Sequence, residues 1–289
     1  MMRDEDLPKV AADLGIPGLF DVHVHFMHPA ILAKVWAYFD AAGPKLGRPW
    51  PITYRGTDDE RVDQLRAMGV RHFSGLSYAH RPGVAEMMND WTASFARQHP
   101  DNIWSATFYP EPEAGQYVTG LVDAGVELFK AHVQVGEFAP DDPLLDPVWQ
   151  VLEDSGTPVV LHAGSGPAPG THTGAAPVAR VLARHPRLSL VIAHLGMPEW
   201  DDFLDLAERY ENVRLDTTMC FVDFFTEQPP ASIVPRLAAL QDKVLFGTDF
   251  PNIPYAYAHQ VEVLARLDLG DDWLRSVLWR NGAQLFGRS

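Results

Sequence analysis

The segment Asp21-Val22-His23-Val24-His25 gathers the most chemistry of any stretch in the sequence. It closes an apolar run, GLFDVHV over residues 18–24, that reads as a β-strand. Side chains alternate along a strand, so Asp21, His23 and His25 share one face while Val22 and Val24 share the other. Two imidazoles at a strand end can grip one metal ion together. The same pair, met in isolation, can equally do no more than hydrogen-bond to polar neighbours. The remainder of the chain decides between these readings. His162 ends PVVLH, His194 ends LVIAH, and Asp249 follows directly on VLFGT. In each case an apolar run stops and a residue able to bind metal appears. If these runs are parallel strands of one barrel, their ends converge on one rim. Four histidines and an aspartate delivered there form a metal centre suited to activating water.

The elements that must position these residues are legible as an alternation of short apolar runs and amphipathic stretches. Strand candidates fall at 18–24, 70–76, 103–108, 126–132, 157–162, 188–194, 212–216 and 243–247. Helical patterns ending in Gly or Pro precede them, such as DDERVDQLRAMG, VWQVLEDSG and APVARVLARHP. Repeated strand–helix units predict a parallel sheet, and eight of them predict an α/β fold closed as a TIM-type (β/α)8 barrel. The length of 289 residues suits one such barrel, which takes about 250. With no linker-like segment in sight, residues 1–289 are expected to form a single domain. Two connections stand out. Residues 26–57 are a long insertion carrying Trp36, Tyr38, Phe39, Trp50 and Tyr54, and residues 163–176 are rich in Gly and Pro. Both leave the C-terminal ends of strands, where barrel enzymes keep their active sites. The aromatics of the insertion either pack a short helix onto the barrel or line the substrate, and the two roles are compatible.

Composition narrows the partners. The formal net charge is −15, which argues against nucleic acid or an anionic membrane surface, since either calls for a basic face. It leaves a small anionic substrate open, because a metal dominates the field of its own site. The single cysteine, Cys220, can form neither an internal disulfide nor a cysteine-rich zinc site. The acidic beginning of the chain has no apolar core of a signal peptide, and no run approaches the roughly 18 apolar residues of a membrane span. A cytoplasmic enzyme is expected.

The matching pieces DVHVH, FKAHVQVGEFAPDDPLLDPVW, PVVLHAG, LVIAHLG, NVRLDTT, VLFGTDFP and NGAQLFG give the chain a resemblance to the amidohydrolase superfamily. Within it the chain resembles the amidohydrolase-2 branch, which includes aminocarboxymuconate-semialdehyde decarboxylases, related aromatic-acid decarboxylases, and lactone and amide hydrolases. The resemblance runs from about residue 18 to 287 and is specific for the superfamily rather than for a reaction. Carried over, it implies one divalent metal held by His23, His25, His162 and Asp249, with Asp249 also a proton acceptor and His194 a catalytic group beside the metal. Zinc is the default ion; manganese, iron and cobalt accept the same ligands.

Five further residues are candidates for substrate contact or for supporting the ligands: Lys130, His132, His172, Asp216 and Arg81. Lys130 ends the fourth apolar run. In binuclear members of the superfamily a lysine at this place is carboxylated and bridges two metals. In the mononuclear branch it is free to hold a substrate carboxylate or carbonyl, or to pair with a rim carboxylate. His132 and His172 are rim and loop histidines with substrate contact and simple solvation both open to them. Asp216 closes the seventh run and is placed to orient a ligand. Arg48, Arg55 and Lys45 in the long insertion join Arg81 as anchors for an acidic substrate.

Two chemistries fit one such site. A hydrolase activates water to cleave a C–N or C–O bond in an amide, ester or lactone. A decarboxylase or hydratase uses the same residues on a small carboxylic acid. The intact His-x-His, His, His, Asp set favours the hydrolase. A homodimer, in which one subunit lends an arginine to the other, is compatible with either.

Overall fold

Nine short strands carry the apolar runs in the computed structural model, which describes residues 2–288. They are β1 (Leu19–His25), β2 (Val70–Leu76), β3 (Asn102–Ile103), β4 (Ser105–Thr107), β5 (Leu128–His132), β6 (Val159–His162), β7 (Leu190–Ile192), β8 (Val213–Asp216) and β9 (Val244–Leu245). All eight expected runs form strands. The third is split in two, because the Trp104 amide donates to the Glu127 carboxylate, 3.2 Å away, instead of joining a strand ladder.

The chain divides into two compact units, one of Met1–Ser74 with Thr217–Ser289 and the other of Gly75–Asp216. The second unit is the more regular. Its strands β4 to β8 lie side by side and parallel, with Ser105 opposite Leu128, His132 opposite His162, Val160 opposite Val191 and Val191 opposite Arg214. Strands β5, β6 and β7 are buried along their whole length. That is why β6 and β7 read as unbroken apolar runs up to the strand end, as strands covered on both faces do, while β5 is interrupted by the buried Lys130. The crossovers between them are amphipathic helices. Trp200–Arg209, for example, buries Trp200, Phe203, Leu204 and Ala207 and turns Asp201, Asp202 and Asp205 to water.

In the first unit β1 is buried throughout. On one side the Leu19 amide donates to the Gly69 carbonyl at the entrance to β2 (2.9 Å). On the other, the segment around and after β9 runs against it. The Val22 amide donates to the Phe246 carbonyl (2.9 Å), the Asp249 amide to the His23 carbonyl (2.8 Å) and the His25 amide to the Phe250 carbonyl (2.7 Å). The helix leading to β2, Asp58–Ala67, starts on a reciprocal cap in which the Thr57 hydroxyl accepts from the Glu60 amide and the Glu60 carboxylate accepts from the Thr57 amide. The insertion after β1 contains the helix Pro29–Asp40 and a further turn of helix, Gly43–Leu46. Among the described residues no helix is long and apolar enough to cross a membrane.

Candidate metal centre

His23 and His25 project from β1 as alternation requires, and Asp249 comes to them from the loop after β9. The Nε2 atom of His25 is 2.7 Å from Oδ1 of Asp249, and that of His23 is 3.4 Å from the same oxygen. The imidazole planes are inclined at 70°. One ligand atom from each residue lies within 4.8 Å of the other two. Both histidines are buried, and the Asp249 side chain is 15% exposed. Bonds of about 2.0–2.2 Å from nitrogen and carboxylate oxygen to a central metal put the donors about 3–4 Å apart; the His23 pair stands at that spacing, and the His25 pair, at hydrogen-bond distance, would open slightly around an ion. Two imidazoles and a carboxylate are also the donor set that zinc and its first-row neighbours accept. The residues therefore fit a divalent metal.

Asp249 occupies this position in a left-handed backbone conformation, φ +70°. A non-glycine residue adopts that region at a cost, and it persists where the surroundings fix it. Here the fixing contacts are the bond from the Asp249 amide to His23 and the bond from the Asn252 amide back to the Asp249 carbonyl (2.9 Å).

A buried carboxylate ties together the segments that carry His23 and Asp249. Asp21 is fully buried; its Oδ1 accepts from the His23 amide (3.0 Å), and its Oδ2 accepts from the Thr248 hydroxyl (2.6 Å) and the Tyr257 hydroxyl (2.8 Å). Burial, followed by the Asp21 charge, pushes the Tyr257 hydroxyl well above its ordinary value, so it stays a donor. Sequence reading missed Thr248 and Tyr257. It placed Asp21 on the ligand face without giving it a task, though an aspartate two residues before the first histidine was the available signal.

The insertion ties itself to the Asp249 loop. The Trp36 indole donates to the Asn252 side chain (3.1 Å) and the Trp50 indole to the Asn252 carbonyl (2.7 Å). Trp50 stacks on Phe39 and meets Phe224 and Phe225. Tyr38 is the exposed member of the group. The aromatics thus pack against one another and onto this unit. Arg55 is committed to Asp40 (2.5 Å), while the Arg48 guanidinium lies 4.9 Å from the Phe224 ring centre and donates to the Thr226 hydroxyl. The Lys45 side chain lies outside the described residues.

In the second unit, β5 to β8 bring another polar group together. Lys130 is fully buried within β5, two residues before the strand's end at His132. His132 and His162, opposite one another in the ladder, stack with ring centres 3.9 Å apart and planes at 12°. His194 approaches His162, ring centres 4.6 Å apart. It does not end its strand: β7 stops at Ile192, and His194 and Leu195 follow in left-handed conformations, φ 57° and 52°. The turn is held from β8, where the Asp216 carboxylate accepts from the His194 amide (2.9 Å). Asp216 thus supports the backbone of His194.

The Gly/Pro loop after β6 is tethered by Ser165, whose amide donates to Glu199 (3.0 Å) and whose hydroxyl meets the same carboxylate. Gly164 must be glycine, since a Cβ there would run into the backbone carbonyl of Met197. The His162 Nε2 atom lies 2.9 Å from the Gly166 carbonyl of this loop. His172 is half-exposed in it, and Arg81 is exposed in the loop after β2. Neither joins a cluster among the described residues.

A family model described as amidohydrolase matches residues 20–288. No protein of curated function matches the chain in sequence. Solved structures do match in fold. An uncharacterised TIM-barrel protein from Bordetella bronchiseptica is similar at 21% identity, over 93% of this chain and 99% of its own, with a TM-score of 0.75. A 5-carboxyvanillate decarboxylase from Novosphingobium aromaticivorans, complexed with manganese and 4-hydroxy-3-methoxy-5-nitrobenzoic acid, is similar at 15% identity, 96% and 97% coverage and TM-score 0.65. A probable 2-pyrone-4,6-dicarboxylic acid hydrolase from Acinetobacter baumannii, with citric acid bound, is similar at 15% identity, 93% and 99% coverage and TM-score 0.60. The fold is the (β/α)8 barrel that these likenesses share.

Proposed function

Because the chain belongs to the amidohydrolase family, we propose that it is a metal-dependent hydrolase that uses water to cleave a C–N or C–O bond in a small amide, ester or lactone. The observation that carries this reading is the convergence of two buried imidazoles and a carboxylate, His23, His25 and Asp249. We assign His162 as the fourth ligand from its residue type and its place as the last residue of β6. Zinc is the first choice of ion and manganese the second, the latter because a related fold has been solved with it. A divalent ion held by these residues would supply Lewis acidity, enough to lower the pKa of a water to about 7.

The chain's own groups then have the following work. Asp249 accepts the water proton as the new C–O bond forms. His194 holds the substrate oxygen, takes that proton over from Asp249 and hands it to the leaving nitrogen or oxygen as the old bond breaks. Asp21 and Asp216 hold the backbone amides of His23 and His194 respectively. Lys130 stays unmodified, with one metal per site, and it and His132 contact the substrate or support the site; His172 and Arg81 are weaker candidates for the same role. We further propose a cytoplasmic homodimer whose single domain spans 1–289.

A second reading, non-oxidative decarboxylation of a small carboxylic acid, is favoured by the likeness to the manganese-containing decarboxylase. Metal analysis followed by turnover assays on lactones, N-acyl compounds and aromatic carboxylates separates the two. Hydrolysis of the first two classes supports the proposal, and release of carbon dioxide from the third replaces it with the second reading. A protein that takes up no divalent metal refutes both.

A further inference from the structure

His132 and His162 are the last residues of β5 and β6, and the parallel register sets them directly opposite one another. Side chains at paired positions of neighbouring strands leave the sheet on the same face, and such strands lie about 4.8 Å apart. Two flat rings starting from that pair make most contact by lying face to face. These do so, with centres 3.9 Å apart and planes at 12°. Tyr78 packs on His132 as well, tilted by 56° with centres 5.0 Å apart. The His132 Nδ1 atom accepts from the Val135 amide in the turn that follows β5 (3.4 Å). The ring of His132 is thus fixed by its own strand end and by Tyr78, and it is buried. It is better placed to hold its neighbour than to meet a substrate.

The torsion that turns an imidazole about its bond to Cβ has broad minima. A ligand histidine left to turn must be ordered when the metal binds, and that ordering weakens binding. We propose that His132 is a positioning residue of the metal centre: its stacked ring fixes the plane of the His162 imidazole in advance of binding and so raises metal affinity. This rests on the assignment of His162 as a ligand. The stack acts together with the Gly166 carbonyl, 2.9 Å from the His162 Nε2 atom. A carbonyl only accepts, so Nε2 carries the proton and the lone pair of the ring is on Nδ1. His132 therefore sets the plane of the ring, and Gly166 sets which way round it lies. Packing and hydrogen bonds of this kind are what hold a ligand in its binding geometry.

The test compares the full chain of wild type with His132→Phe, His132→Asn and His132→Ala. Each is stripped of metal and titrated with zinc ions against a chelator, with circular dichroism and Tm measured on the metal-free samples. Phenylalanine keeps the flat ring, while asparagine keeps an acceptor for the Val135 amide without the ring. The expected result is zinc affinity close to wild type in His132→Phe and about 10–100-fold weaker in His132→Asn and His132→Ala, the range for loss of a group that orients a ligand. Should His132→Ala fail to fold, the contrast between the other two variants carries the same test. Wild-type affinity in His132→Asn overturns the proposal. So does an equal loss in all three, since the imidazole itself and not its flat face is then required. Failure of His132→Phe to fold overturns it too, because the residue then serves the fold. In those cases wild type still binds zinc, and only the role of His132 falls. If wild type takes up no divalent metal, the reading of the whole centre falls with it.

Discussion

The Nε2 atom of His25 and the Oδ1 atom of Asp249 stand 2.7 Å apart although the two residues come from near opposite ends of the chain. The contact depends on the left-handed Asp249 backbone and on its amide bond to His23. A bare carboxylate beside two imidazoles in a buried place is stabilised when a cation joins them. His23→Ala and Asp249→Ala are therefore expected to lose most bound metal and all activity, while the fold survives above its apolar core. Elemental analysis and circular dichroism check this. Full metal occupancy in both variants refutes the ligand assignment.

Asp21 makes a sharper prediction because it touches no metal. Its carboxylate accepts from the His23 amide, the Thr248 hydroxyl and the Tyr257 hydroxyl, and so links the strand bearing His23 to the residue before Asp249. Asp21→Asn keeps the size but turns an NH2 group toward one of these donors. Metal affinity should fall about 10–100-fold, the usual effect of losing a group that orients ligands. Competition with a chelator gives the number, and an unchanged affinity removes Asp21 from the site.

Much of this was legible in advance, and the reasons differ by residue. Alternation placed His23 and His25 together because β1 runs unbroken over seven residues. The buried strands β5 to β7 announced themselves because burial on both faces leaves mostly apolar residues, with Lys130 the exception inside β5. His194 was harder to place. Its apolar run looks continuous, but β7 ends two residues earlier in a left-handed turn that no residue type there demands. The Asp21 network was invisible because Thr248 and Tyr257 are brought to Asp21 by tertiary structure alone. The stacking of His132 on His162 depends on strand register, which a sequence does not state.

Stability away from the site offers a control. Thr57 and Glu60 cap the helix Asp58–Ala67 reciprocally. Thr57→Ala should cost about 1 kcal/mol in denaturant unfolding and leave metal content unchanged. A change in metal content would mean that this helix start is coupled to the centre.

A pH dependence follows from Asp141. Its hydrogen bond from Arg180 holds the carboxyl below the ordinary value of 3.8. With the folded value depressed, the stabilisation is present above the unfolded value and is lost as pH falls through the folded one. Asp141→Asn should lower Tm at pH 7, and the gap to wild type should close below about pH 4. A gap that stays constant down to pH 2 would mean that Asp141 acts through packing and not through its charge.

The domain proposal is open to a direct measurement. One compact unit is built from both ends of the chain, and β2 runs across the junction at residues 74–75. A single domain should melt in one transition with matching calorimetric and van't Hoff enthalpies. Two resolved transitions, or two stable fragments after limited proteolysis, would contradict it.

His194 decides the mechanism. It follows β7 with φ 57°, its amide held by Asp216 and its ring 4.6 Å from that of His162. On the proposed assignment, three imidazoles and a carboxylate would already give zinc its usual four protein ligands, and a fifth would crowd out water. An imidazole just outside that set is suited to move protons near neutral pH. On this reasoning His194→Ala keeps its metal and loses about 10²–10⁴-fold in turnover, the range of a general acid or base. Asp216→Asn should keep metal too, with a smaller loss in turnover, since the amide retains an acceptor oxygen for the His194 backbone. Loss of metal from His194→Ala in parallel with His162→Ala would make His194 a ligand and refute the scheme. Near-normal turnover in a metal-loaded His194→Ala would reduce the residue to a structural one, leaving Asp249 alone to handle the proton.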